Sequence, residues 1–91
     1  MDFDRFPGGA LIRQGLEDLA AGRETDEALL VLVGSPRLRS LGIPVPIRDV
    51  EAVEHRLYER LARENSDGAH SRYNALIRIL VSFQRAVACA S

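Results

Sequence analysis

Ala69, Tyr73, Leu76, Leu80, Phe83, Val87 and Ala90 recur at alternating spacings of four and three residues, over three full heptads. That spacing draws one continuous apolar seam along the side of an α-helix. Ile77, Ile79, Val81, Ala86 and Ala88 widen the seam, while Ser71, Arg78, Ser82 and Arg85 leave a narrow wet edge. A helix apolar on most of its sides is either central to its fold or turned toward a partner. The chain must be built around this helix. Tyr73, Leu76, Leu80, Phe83 and Val87 are the expected interface, with a second copy of the chain or another protein across it.

The neighbouring segments read as shorter helices. Val50, Val53, Leu57 and Leu61 predict a helix from Val50 to Glu64, capped by Asp49, with Glu51 and Glu54 early and Arg60 and Arg63 late, as the helix dipole favours. Asn65-Ser66-Asp67-Gly68 supplies a turn, so this helix and the last one form a hairpin. Ala10 to Ala21 predicts a helix with Ile12, Leu16, Leu19 and Ala20 on one face. Gly15 weakens it by about 1 kcal/mol relative to Ala, and Gly22 suits the left-handed position past its end. Thr25 suits an N-cap before Ala28 to Val33, whose unbroken apolar run fits a buried helix or a buried strand. The helix is favoured, because the one candidate strand neighbour, Ile43 to Ile47, holds two prolines that cannot donate to a ladder. Ser35-Pro36 opens a short helix to Leu41, closed by Gly42, and Ile43 to Ile47 is extended because each proline biases the residue before it.

The expected fold is therefore all-α: a bundle of four to five helices over residues 10–91 with a C-terminal helical hairpin. Residues 1–9 are expected as a flexible arm, since Pro7-Gly8-Gly9 stops regular structure, unless Phe3 and Phe6 pin it to the body. At 91 residues with no Trp and five aromatics, the core is aliphatic. Small domains bury a modest share of their surface, which again favours a partner or a homodimer.

Several classes are excluded or disfavoured. The longest apolar run has six residues, against the roughly 20 that span a bilayer. Met1 to Arg5 carries two acids and no apolar stretch of a signal peptide, so a cytoplasmic location is expected. A single cysteine, Cys89, excludes an internal disulfide and a Cys-rich zinc site. His55, His70, Cys89, Glu54 and Asp67 have no recognised ligand spacing. No Ser-His-Asp set and no Gly-rich phosphate loop is present, so neither a catalytic centre nor a cofactor is expected.

Charge offers a second reading. The net charge is -1, but residues 1–30 hold seven acids and three Arg, whereas residues 31–91 hold nine Arg and six acids. Arg37, Arg39, Arg48, Arg56, Arg60 and Arg63 are the candidate nucleic-acid contacts. Ser35, Arg37 and Arg39 at a helix start are a candidate anion contact, but the helix that follows is too short for a recognition helix in a major groove.

Arg63 and His70, with six residues between them at a helix junction, resemble the arginine–histidine arrangement of HEPN domains, helical bundles that include many dimeric RNases. The resemblance covers those two residues alone and assigns no family. It implies Arg63 as a phosphate contact and His70 as an acid or base, a role suited to a group that titrates near neutrality. Glu64 stands where a polar residue usually follows the Arg, and Ser66-Asp67-Gly68 interrupts the segment.

Overall fold

A computed structural model describes residues 1–90. They form five α-helices: α1 (Gly9–Ala20), α2 (Asp26–Val33), α3 (Ser35–Ser40), α4 (Val53–Glu64) and α5 (Ala69–Ala90). A 3-10 turn at Phe3–Arg5 precedes them. No strand occurs among the described residues, and the all-α class read from the sequence holds.

The ambiguous run Ala28 to Val33 is helical. Thr25 Oγ1 accepts from the Ala28 amide at 3.1 Å, and Asp26 and Glu27 occupy the first turn, where negative charge meets the positive end of the helix. Ala28, Leu29, Leu30 and Val31 are all buried. Four consecutive buried residues point to more than one side of a helix, so more than one neighbour must cover it. Here α1, α4 and α5 all pack on α2, so α2 shares the centre of the fold with α5.

The α4–α5 hairpin forms as expected, but α4 begins at Val53, three residues later than its apolar stripe suggests. The Asp49 cap is not used. Arg48 Nη2 donates to the Leu19 carbonyl, and prolines 44 and 46 keep the preceding segment out of helical geometry. The chain is still travelling along the body at Val50 and turns into α4 only at Ala52, which adopts left-handed φ 49° and ψ 54°. That conformation costs a residue with a Cβ about 1–2 kcal/mol.

The N-terminal arm is anchored rather than loose. The Phe3 ring stacks on Phe83 at 5.9 Å between centroids, and the Phe6 ring meets Phe83 edge-on at 6.0 Å. Such pairs add about 0.5–1.5 kcal/mol beyond their burial.

The α5 seam turns inward. Ala69, Leu76, Leu80, Phe83 and Val87 are all buried, and Gln84 Nε2 donates to the Gly34 carbonyl at 3.2 Å. Four of the five expected interface residues, Leu76, Leu80, Phe83 and Val87, are thus covered by their own chain. The fifth, Tyr73, is half-buried against Tyr58, with ring centroids 5.8 Å apart. The cover comes from the anchored arm and from α2, whose Ala28–Val31 stretch is buried. Among the described residues, Met1, Ile47 and Val81 are the large apolar side chains left exposed.

Candidate functional site

The densest polar construction lies where α1 turns into α2. Asp18 is buried, 3% exposed, at the C-terminal end of α1. Its Oδ2 accepts from Thr25 Oγ1 at 2.6 Å, and its Oδ1 accepts from Gln14 Nε2 at 2.9 Å and from Arg23 Nη2 at 3.0 Å. The Thr25 hydroxyl donation, aided by Arg23 and Gln14, holds the Asp18 carboxyl below its ordinary range even though burial pushes the other way. Asp18 therefore fixes Thr25, and Thr25 caps α2. Gly22, with φ 77°, makes the left-handed turn between them.

Two ion pairs tie this corner to α4. Arg56 Nε donates to Glu24 Oε1, and Arg60 Nε donates to Asp26 Oδ1 at 2.9 Å. The Arg56 hydrogen bond is the chief reason that the Glu24 carboxyl is lowered and the Arg56 guanidinium raised, and Arg60 and Arg63 add to the field on Glu24. Beside these pairs opens a hollow of about 170 Å³. Leu19, Ala28, Leu29, Leu32 and Val50 provide its apolar lining; Gly22, Arg23, Glu24 and Arg48 complete it.

The structure separates the six candidate nucleic-acid arginines. Arg48, Arg56 and Arg60 reach the α1–α2 corner, and each is held there by an acceptor of the chain itself. Arg39, on α3, donates to the Val45 carbonyl at 3.2 Å and the Pro46 carbonyl at 3.5 Å. Four of the six thus fasten loops and helices. Arg37 and Arg63 are exposed. Glu24 and Asp26 stand among the corner arginines, so this face alternates in sign and is no basic surface.

Arg63 and His70 lie on opposite sides of the α4–α5 turn, both exposed. His70 Nε2 is 3.2 Å from Asn74 Nδ2. His55 Nε2 is 2.7 Å from Glu59 Oε1, one turn onward. Among the described residues no three His, Cys, Asp or Glu side chains group as metal ligands. Cys89 is exposed.

Sequence reasoning missed Asp18 and Ile47. Asp18 adjoins Leu19 on a helix whose face was read from apolar residues alone, so its burial left no periodic trace. Ile47 belongs to an apolar extended run, Ile43 to Ile47, in which Ile43 and Val45 are buried and Ile47 is 90% exposed. No helix among the described residues is long and apolar enough to cross a membrane. The fold and site define a small all-α domain with an arginine-bordered hollow. Comparison with protein-family models, curated proteins and solved structures finds no match.

Proposed function

We propose that this chain is a cytoplasmic protein-interaction module that self-associates as a homodimer, with the Ile43–Val50 segment as its contact surface. The observation that carries the reading is Ile47, a large aliphatic side chain held 90% exposed on a fastened segment. Ile43 and Val45 anchor that segment from below. Arg39 grips the Val45 and Pro46 carbonyls, and Arg48 grips Leu19. The ordering of the segment is therefore supplied by the fold, and little further entropy is lost when a partner covers it. On the apolar C-terminal helix, Val81 is the exposed large apolar residue.

The test is size-exclusion chromatography with light scattering on the wild type and on Ile47→Asp, recorded at 260 and 280 nm. A wild-type dimer and a folded Ile47→Asp monomer are the expected result. A wild-type monomer, or an undiminished Ile47→Asp dimer, overturns the proposal. Nucleic-acid handling, with RNA cleavage by Arg63 and His70 as its narrower form, is the second reading. It draws less support, because four of its six arginines have acceptors within the chain. With no Trp and two Tyr, any co-purified nucleic acid dominates the absorbance trace and decides between the two readings.

A further inference from the structure

We infer that the hollow at the α1–α2 corner binds a carboxylate attached to a small apolar group. The hollow shares Arg48 and Val50 with the proposed contact segment, so the titration is made on the Ile47→Asp monomer as well as on the wild type, and the inference does not rest on self-association.

The lining sets the apolar half of the ligand. Leu19, Ala28, Leu29, Leu32 and Val50 face a space of about 170 Å³. An apolar cavity of about 150 Å³ is enough for benzene, so an isobutyl or phenyl group fits here. Complete ligand pockets run to about 300–1,000 Å³. This hollow therefore takes one end of a molecule and leaves the rest outside.

The charges set the polar half. Arg23 is neutralised by Asp18 at 3.0 Å, and Glu24 by Arg56. Arg48 also lines the hollow, and its bond runs to a neutral carbonyl, that of Leu19. One positive charge is thus left at the hollow without a counter-ion, on a guanidinium that uses one nitrogen internally and keeps further N–H donors. Its position is defined: a Cβ built on Gly22 would stand 4.0 Å from Arg48 Nη2. Gly22 itself contributes no side chain to the rim. A carboxylate placed at Arg48 receives charge-assisted hydrogen bonds while its apolar substituent leaves water.

The same chemistry belongs to a free branched or aromatic acid and to the last residue of a peptide chain. The experiment uses the full chain, labelled with ¹⁵N, and titrates it with N-acetyl-leucine, with the neutral N-acetyl-leucine amide, and with a hexapeptide ending in leucine with a free carboxylate. N-acetyl-leucine is expected to move the amide signals of Leu19, Gly22, Leu29, Leu32 and Val50 with a Kd of about 1 mM, in keeping with its few heavy atoms. The neutral amide should bind about tenfold more weakly. Arg48→Gln should weaken N-acetyl-leucine by a similar factor, and Arg37→Gln should change nothing. A hexapeptide that binds more tightly than N-acetyl-leucine assigns the site to peptide C-termini; one that binds no better assigns it to small acids. Absence of shifts at these residues, or equal binding of acid and amide, overturns the inference. The acid–amide comparison needs no variant, so it decides the matter even where Arg48→Gln disturbs the fold.

Discussion

Gly15 of α1 lies directly against the carbonyl of Glu27 in α2: a Cβ built on Gly15 would stand 2.4 Å from that oxygen and 2.5 Å from Val31 Cγ2. The glycine lets two helices approach closely along the central element of the fold. Alanine raises helix propensity by about 1 kcal/mol, yet forcing a methyl into this contact shifts backbone and costs typically about 1–3 kcal/mol. The obstruction includes a carbonyl oxygen as well as a flexible side chain, so the packing cost wins. Gly15→Ala is expected to lower the thermal midpoint followed by circular dichroism. A raised midpoint would show that α1 and α2 are further apart than described.

A close approach such as that at Gly15 leaves no periodic trace in the sequence. Helix identity was legible wherever apolar residues repeat: the α5 seam, the α4 stripe and the capped α2 all formed. What periodicity cannot carry is which neighbour covers a face. The seam of α5 reads the same whether Phe83 meets a partner or meets Phe3 and Phe6, since both arrangements need one apolar side. The start of α4 was misplaced because Val50 keeps the helical spacing while remaining in the loop, where Arg48 is tethered to Leu19. The arginine patch looked like one surface because its members are near in sequence. The acceptors of Arg48, Arg56 and Arg60, at Leu19, Glu24 and Asp26, are distant in sequence, and those acceptors decide which way the three side chains point.

Phe83 is fully buried and joins the arm to α5 through both Phe3 and Phe6. Phe83→Ala should cost about 3–5 kcal/mol. It should also release the arm, exposing the Phe6 and Gly9 amides, which donate to Phe3 at 3.0 Å and to Phe6 at 2.9 Å. Native-state hydrogen exchange reads both effects. Unchanged stability would remove Phe83 from the core, and continued protection of Phe6 and Gly9 would show that the arm has another anchor.

Asp18 makes stability depend on pH in one direction. Its carboxyl is lowered in the folded chain from an ordinary value of 3.8, so the unfolded chain binds the proton more readily. The stabilisation is complete above the unfolded value and is lost as pH falls through the lowered folded one. Asp18→Asn removes this dependence and also removes an acceptor of the Thr25 hydroxyl, Arg23 and Gln14. The variant should be less stable at neutral pH, with a shallower loss of stability in acid. Urea midpoints across the acid range test this, and an unchanged acid slope would mean that Asp18 keeps its ordinary proton affinity.

The Asp26–Arg60 pair should couple more strongly than the Asp4–Arg13 pair. Arg60 and Asp26 are 31% and 17% exposed at 2.9 Å, whereas Arg13 and Asp4 are 49% and 64% exposed at 3.4 Å. Partial burial shields the first pair from screening ions and limits the side-chain freedom lost in forming it. A double-mutant cycle should give about 1 kcal/mol for Asp26–Arg60 and close to zero for Asp4–Arg13. Raising salt from about 0.1 M to 1 M shortens the Debye length from about 10 Å to 3 Å and should leave most of the Asp26–Arg60 coupling in place. Equal coupling in the two cycles, or loss of the Asp26–Arg60 coupling in salt, would show that Arg60 is a solvated charge free to meet a polyanion, and would return α4 to the nucleic-acid reading.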